Sequence, residues 1–325
     1  VTVTTTVRPT TTQALVYDRY GGLEELAWRE VRLAAPGPGE LVVRIRAAAL
    51  NPKDALIRKG KFRLLSGRRF PKRVGVDLAG EVIEVGAGVT GLAVGARVWG
   101  ALEELRYLRG TVADHAVVKA HEVAAMPRTL GFAEAAAIPL AGLTALQALR
   151  DLAGVHTGDA VLIHGAAGGV GTLALQLARA AGAHVTSTSS AANLTHCERH
   201  GAAVALDYAR DEALGAGRRY RVVFDVFGNL SFARARPALT GDGTFVSTVP
   251  SARIFYDAAR TVVGHPRARL VVVRSRPADL DALALLVAAG RLAPVIDRVV
   301  GRGEVIEGLR HLERKRARGK IVVTL

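Results

Sequence analysis

Two rhythms of apolar and polar positions divide the chain. Up to about residue 125 the apolar residues come in short alternating runs: ALVYD at 14–18, LVVRIRAAAL at 41–50, GEVIEVG at 80–86, ARVWG at 96–100 and DHAVVK at 114–119. Clusters such as PGPGE at 36–40 separate them. Short strands at regular spacing with turn signals predict a β-rich, barrel-like domain. Beyond that point, continuous apolar strands alternate with helical segments. Strands are expected at 160–165, 184–189, 204–208, 221–228, 243–249 and 268–275, and helices at 172–182, 193–200, 231–239 and 279–290. Buried strands alternating with amphipathic helices predict a doubly wound parallel sheet with right-handed crossovers. VIDRVVG and the final KIVVTL return to the first rhythm. The expected organisation is therefore a β-rich domain over 13–125, completed by 279–325, with a doubly wound α/β domain over 126–278.

With 325 residues, 50% of them hydrophobic and 22% charged, the chain has room for two such domains. The first twelve residues, VTVTTTVRPTTT, carry no apolar core of a secretory signal and read as a disordered tail. No stretch approaches the roughly 18 apolar residues of a membrane span. Cys197 is the single cysteine, which excludes an intrachain disulfide framework or a cysteine-rich zinc site. A soluble, cytoplasmic protein is expected.

The segment with the most chemical content is HGAAGGVGTLALQLARAAGAHV, 164–185. A strand runs into Gly168, Gly169, Val170 and Gly171, a helix starts at once, and a second strand follows; this is the context a dinucleotide fingerprint needs. Gly168 allows the backbone to approach a pyrophosphate, and Gly171 allows the helix to pack close to the strand. The helix N-terminus then turns its N–H groups and dipole toward the phosphates. Ala166 replaces the first glycine of G-x-G-x-x-G. The second strand continues as HVTSTSSAANLT, 184–195, with no acid to accept a ribose 2′-hydroxyl. Ser187 and Ser189 offer hydroxyls to a 2′-phosphate, so NADPH is expected over NADH; the alternative for Ser187–Ser190 is capping of the next helix.

These segments, with AALNPKDALIRKG (48–60), GVDLAGEVIEVGAGV (75–89), AAAIPLAGLTALQAL (135–149), VFDVFG (223–228), LAPVIDRVV (292–300) and RGKIVVTL (318–325), resemble the medium-chain dehydrogenase/reductase superfamily in its zinc-free quinone oxidoreductase branch. The resemblance runs from residue 13 to 325. It implies a GroES-like catalytic domain, a Rossmann domain, a cleft between them and a homodimer. Zinc-dependent members carry cysteine where Asn51 stands, histidine where Val76 stands and cysteine near Leu140. Amide, valine and leucine cannot form a tetrahedral zinc shell, so no metal is expected. The resemblance then implies hydride transfer from NADPH to a small molecule with a conjugated carbonyl: a quinone, an enone or an enoyl thioester. A biosynthetic tailoring reductase is one variant. The negative charge that develops on the carbonyl oxygen needs a donor, and the α-carbon needs a proton.

In NPKD, the resemblance places Asn51 near the nicotinamide ribose. Lys53 could donate to the oxyanion or to the cofactor, and Asp54 could anchor the loop; a solvated lysine and a helix cap are the alternatives. Thr144 matches a position beside the nicotinamide and pyrophosphate, or is a helix-interior hydroxyl. Tyr208 resembles a tyrosine near the adenosine phosphate, or packs on the sheet. Lys320 matches a basic residue facing the cofactor, or is a surface charge. Phe227 and Val249 follow strands where backbone would line the nicotinamide site. Asn193 stands where many relatives have a base, His115 where they have tyrosine, and ALEELRYLRG (101–110) lacks their glycine-rich character. The nine histidines form no spaced ligand set.

Charge frames the competing class. Of 44 basic residues only seven are lysine, and the net charge is +15. Such a balance attracts nucleic acid or acidic lipid. Apart from clusters at 59–73 and 310–320, however, the arginines are scattered, and the 5% aromatics do not interleave with them as base-stacking platforms would. A non-catalytic NADPH-binding or nucleic-acid-binding member of the same fold is the alternative; it predicts affinity that falls steeply with salt.

Overall fold

Glycine and proline punctuation cuts the first part of the chain into short elements: β1 (Thr11–Tyr17), β2 (Ala27–Arg32), β3 (Glu40–Leu50), α1 (Pro52–Arg58), α2 (Arg63–Ser66), β4 (Lys72–Arg73), β5 (Asp77–Val85), β6 (Arg97–Ala101), β7 (His115–Lys119), β8 (Val123–Ala125) and α3 (Phe132–Ala136). The alternation of strand and helix then gives α4 (Pro139–Leu146), β9 (Ala160–His164), α5 (Gly169–Ala180), β10 (His184–Ser189), α6 (Leu194–Arg199), β11 (Val204–Asp207), β12 (Tyr220–Asp225), α7 (Phe232–Ala235), β13 (Leu239–Ser247), α8 (Ala252–Arg260) and β14 (Arg267–Leu270). The chain ends in α9 (Pro277–Ala288), β15 (Ile296–Val300), α10 (Val305–Glu313) and β16 (Lys320–Thr324). This computed structural model describes residues 9–215 and 217–325. Of the tail expected at 1–12, residues 1–8 lie outside the described residues. Thr11 and Thr12 are no tail: they open β1, and the Thr12 hydroxyl accepts the His115 N–H at 2.9 Å.

Two compact units form. The first runs to Leu140 and takes in Arg274–Ala288 and Ile296–Leu325; the second is Ala141–Val273 with Ala289–Val295. The first unit holds a seven-stranded sheet in the order β15-β16-β3-β5-β6-β8, with β7 also on β3. Strand β3, eleven residues long, spans enough length to pair β7 over Glu40–Arg44 and β16 over Ala47–Leu50, while β5 covers its other edge. Its apolar face meets Val82, Val98, Val118, Ile321 and Val323 in one buried core. A smaller sheet, β2-β1-β4, closes over it.

The second unit is a six-stranded, all-parallel sheet in the order β11-β10-β9-β12-β13-β14. This is the strand order of a doubly wound dinucleotide-binding fold. Val161, Leu162, Ile163, Val222, Val223 and Phe224 are fully buried, as strands covered on both faces must be.

The borders differ from those read in the sequence, for packing reasons. Helix α3 lies on β3 and β5, which keeps residues up to 140 in the first unit, and α9 packs on β8. Residues 289–295 return to the second unit because the Gln176 amide brackets Ala293, accepting its N–H at 2.8 Å and donating to its carbonyl at 3.0 Å. The helix expected at 231–239 is only α7 followed by a tight turn at Arg236–Ala238, since Pro237 supplies no N–H and Leu239 already begins β13. The segment 251–267, whose stretch 255–264 reads either as a helix or as a dimer contact, contains the helix α8, capped by Ser251 Oγ accepting the Ile254 N–H.

Candidate functional site

In the second unit the chain order reverses about β9, whose neighbours are β10 and β12. Their carboxyl ends bring His164 level with Asp225 and Thr188. Ligands of open α/β sheets bind at such a switch point. The turn after β9 is anchored by the N–H groups of Gly165 and Ala166, which both donate to the Thr188 carbonyl at 3.1 and 3.0 Å. The two glycines of the loop differ in kind. A Cβ on Gly171 would lie 2.5 Å from the Ala166 carbonyl oxygen, so this glycine is demanded by the fold. A Cβ on Gly168 would meet nothing within 4 Å. Gly168 is the N-cap of α5, has an ordinary φ of −83°, and no side chain caps the helix there. Its missing side chain leaves open space in front of a twelve-residue helix N-terminus, the cradle a pyrophosphate requires.

Around this loop, His164 links β10 to the loop after β12: Nδ1 is hydrogen-bonded to Thr188 Oγ1 at 2.6 Å and Nε2 to Asn229 Oδ1 at 2.7 Å. Asp225 accepts the N–H groups of Gly228 and Leu230 at 2.8 and 2.9 Å, while burial pushes its carboxyl pKa up. Gly228 has φ +81°, and a Cβ there would sit 2.2 Å from Val249 Cγ2. Phe227 and Val249 are thereby held beyond the carboxyl ends of β12 and β13, 50% and 36% exposed.

The first unit assembles a second group of polar residues. Because β3 is antiparallel to both β16 and β5, the first residue of β16, the residue after β3 and the first residue of β5 meet at one end of the sheet. These are Lys320, Asn51 and Asp77, all buried. The Lys320 ammonium donates to Asn51 Oδ1 at 2.5 Å and to Asp77 Oδ2 at 2.9 Å. Asn51 Nδ2 donates to Asp77 Oδ2 at 2.8 Å, and Asp77 Oδ1 accepts the Leu140 N–H at 2.6 Å. Each buried charge is thus paired and hydrogen-bonded, as burial demands.

Asn51 is also the N-cap of α1, with Pro52 at the first helical position. Asp54 Oδ2 accepts the Asn51 N–H at 2.7 Å and its Oδ1 accepts the Tyr107 hydroxyl at 2.7 Å. Burial pushes the Asp54 carboxyl up to about 6, against the pull of those two donors and of the Lys53 and Lys320 charges. The half-buried Lys53 ammonium lies 5.5 Å above the Tyr107 ring. Burial holds its pKa below the ordinary lysine value, opposed by Asp54, Glu104 and Asp77.

Comparison with known proteins gives the family. Residues 37–128 match the alcohol dehydrogenase GroES-like domain and residues 200–323 match the zinc-binding dehydrogenase domain. The chain is 35% identical over 296 residues to the chloroplast envelope quinone oxidoreductase homolog of Arabidopsis thaliana, covering 87% of this chain and 89% of that protein. It is 33% identical to the 2-methylene-furan-3-one reductase of Solanum lycopersicum, over 97% of this chain and 79% of that one. The mitochondrial NAD(P)H oxidoreductase RTN4IP1 of Bos taurus is 30% identical, with 99% and 91% covered. The solved quinone oxidoreductase of Coxiella burnetii superposes with a TM-score of 0.88 at 29% identity, covering 97% of this chain and 99% of that chain. The chain belongs to the medium-chain dehydrogenase/reductase superfamily, in its quinone oxidoreductase branch. It is an oxidoreductase with a GroES-like and a Rossmann-like domain.

Within this branch member, the residues singled out in the sequence fall into separate groups. Gly168, Gly169, Val170, Gly171, Ser189, Asn193, Tyr208, Phe227 and Val249 belong to the second unit, and Asn51, Lys53, Asp54 and Lys320 to the first. Ser187 and Ser189 are corrections: both are buried, with their side chains on the same side of β10 beside Cys197, so neither hydroxyl is presented to a phosphate. Thr144 is buried in α4. Tyr208 is 63% exposed and does not pack on the sheet; its N–H donates to the Ser189 carbonyl. Asn193 Nδ2 donates to Ser190 Oγ at 3.2 Å. Lys320 is no surface charge, nor is Lys53 a fully solvated one. Asp54 both caps α1 and bonds Tyr107.

Sequence reasoning passed over Asp77, Tyr107 and His164. Asp77 carried a signal: an acid inside VGVDLAG must be buried, and a buried carboxylate must have partners. His164 immediately precedes the glycine turn, which marks it as the last residue of the switch-point strand. Tyr107 carried none.

Proposed function

We propose that the protein catalyses the NADPH-dependent, zinc-independent reduction of a small molecule with a conjugated carbonyl: a quinone, an enone or an enoyl thioester. The observation that carries this reading is the paired set Asn51–Asp77–Lys320, flanked by Val76 and Leu140, where a zinc-dependent relative would hold its metal. An ammonium already satisfies the carboxylate there, and an apolar Val76, fully buried, replaces a ligand. This donor set does not fit zinc. Among the described residues no group of three or more His, Cys, Asp or Glu could hold a metal ion.

The dinucleotide would lie along the Gly168–Gly171 turn, with Phe227 and Val249 bordering the nicotinamide end. When bound, the reduced cofactor supplies the hydride. The chain's own contribution is electrostatic. The Lys53 ammonium, whose pKa burial lowers, would stabilise the oxyanion that develops on the substrate carbonyl and return a proton. NADPH is preferred because no acid stands at the end of β10, leaving Asn193 as a neutral partner for a 2′-phosphate.

A homodimer accords with the apolar Phe255, Tyr256, Val262, Val263 and Val272, all more than half exposed around edge strand β14. No helix among the described residues is long and apolar enough to cross a membrane. A cytoplasmic setting rests on the chain's own composition, whereas several relatives are named for the chloroplast or mitochondrion.

The test is oxidation of NADPH, and separately NADH, against a naphthoquinone, a simple enone and an enoyl thioester, with and without chelator. Chelator-resistant turnover that favours NADPH supports the reading. Loss of activity with chelator, restored by zinc, refutes it.

A further inference from the structure

The segment 101–110, which departs from the family's glycine-rich pattern, is tied down at Tyr107. This residue holds φ +58°, a left-handed conformation that costs an aromatic residue of order 1–3 kcal/mol and persists only where the surroundings enforce it. Here they do so from several sides. The Tyr107 carbonyl accepts the Arg73 N–H at 2.7 Å. The neighbouring Arg106 carbonyl accepts the ammonium of Lys72 at 2.6 Å, a lysine that is itself completely buried. Arg109 makes two 2.7 Å hydrogen bonds to Glu122 and a third to Glu104 at 3.2 Å. The backbone therefore delivers the Tyr107 ring, fully buried, to one place: its hydroxyl on Asp54 Oδ1 and its face under the Lys53 ammonium. Among the described residues, no acceptor is hydrogen-bonded to that ammonium.

We propose that Tyr107 is a positioning residue that keeps Asp54 ionised and Lys53 aimed and charged. This rests on the reading of Lys53 as the group that serves the substrate oxyanion. The hydroxyl donates to the carboxylate and so favours its charged form. The ionised carboxylate favours the Lys53 ammonium, and the ring face holds that ammonium through its quadrupole. The other charged or titratable groups around Asp54 and Lys53 are Lys320 from β16, Asp77 from β5, Glu104 from the same segment as Tyr107, and Tyr17 from β1, which itself lies near Arg58 of α1. Asp77 is committed to Lys320, and Arg58 to Glu313. Among the described residues, the tyrosine is thus the one uncharged side chain that touches both groups.

The experiment follows the Asp54 carboxyl by carbon-13 NMR, assigned by its loss in Asp54→Asn, together with the pH dependence of kcat/KM for NADPH oxidation. In Tyr107→Phe the carboxyl titrates higher by about one pH unit or more. The acid limb of the rate profile moves up with it and the alkaline limb, set by Lys53, moves down, so the active range narrows from both sides. Replacing Tyr107 by 3-fluorotyrosine keeps the shape and strengthens the donor, and the carboxyl then titrates lower; this variant stays informative should the phenylalanine variant fold poorly. An Asp54 titration that neither substitution moves overturns the proposal, as does a rate profile that loses height with both limbs in place. The carboxyl titration needs no turnover, so a wild-type enzyme silent toward every acceptor refutes the reading of the reaction separately from the Tyr107 coupling.

Discussion

Two glycines three residues apart provide a sharp test of what the 164–171 loop is for. Alanine at Gly168 places its Cβ in open space at a φ of −83° that alanine adopts freely. Restricting the unfolded chain favours alanine by about 0.4–1 kcal/mol, and alanine's poorer N-capping offsets a similar amount. The stability of Gly168→Ala should therefore stay within about 1 kcal/mol of wild type. Alanine at Gly171 sets a Cβ 2.5 Å from the Ala166 carbonyl oxygen and 2.6 Å from its carbonyl carbon and Cα. All three are backbone atoms at the strand-to-helix turn, so relief requires moving the helix. Overpacking of this kind costs about 1–3 kcal/mol. For a unit of this size that lowers Tm by roughly 2–12 °C. Dinucleotide affinity should show the opposite pattern of sensitivity. Gly168→Ala fills the space the pyrophosphate needs and should weaken NADPH binding at least tenfold, or about 1.4 kcal/mol, with the fold intact. Calorimetric melting and titration of NADPH fluorescence measure both quantities. A Gly168→Ala protein that binds NADPH as tightly as wild type would refute the assignment of that space to the cofactor, and a Gly171→Ala protein of unchanged Tm would refute the packing argument.

Lys320→Met should be strongly destabilising, by about 3–5 kcal/mol, because it leaves the Asp77 carboxylate buried without its counter-charge. Adding Asp77→Asn should recover much of that loss, and a double-mutant cycle of unfolding free energies checks the coupling. Asp54 predicts a pH dependence of stability. Its folded pKa of about 6 lies above the ordinary value of 3.8, so the folded state binds more protons in that window and stability falls as pH rises through it. The drop is at most roughly 3 kcal/mol, and urea unfolding of wild type against Asp54→Asn between pH 4 and 7 should show the slope in wild type only.

The elements that periodicity marks were those whose burial is local. The alternation in 41–50 and the apolar run at 160–165 announce β3 and β9, because one face or both faces of each strand must be covered. The glycine spacing at 168–171 is similarly local, since it encodes one turn. By contrast, β4 is two residues long and has no period. The borders of the units depend on the side chain of Gln176 meeting Ala293, 117 residues away. The first-unit cluster was half legible. NPKD stood out as a loop, but Lys320 lies 243 residues from Asp77 and Tyr107 lies 53 from Asp54. Nothing in the neighbourhood of Tyr107 distinguishes it from a core tyrosine. Ser187 misled because a hydroxyl in a strand reads the same whether it faces the ligand or the interior.

The asymmetry between the two buried acids gives the first-unit cluster its chemical sense. Asp77 is matched by Lys320 and by two N–H donors, so its charge is fully answered within the fold. Asp54 is hydrogen-bonded only by neutral donors, the Tyr107 hydroxyl and the Asn51 N–H, with the Lys53 and Lys320 charges acting on it at a distance. Two ammonium groups therefore face one carboxylate that is already paired and one that is not held as an ion pair. The uncommitted positive charge resides on Lys53, over an aromatic face that attracts a cation without neutralising it. An enzyme that must stabilise an oxyanion only while it exists gains from such an arrangement. A committed salt bridge would have to break before the ammonium could serve the substrate, whereas a charge held by a ring and a neighbouring carboxylate is preorganised. On the zinc-independent reading proposed above, this device would stand in for the Lewis acid that alcohol oxidation requires and would suit carbonyls whose conjugation already makes them electrophilic.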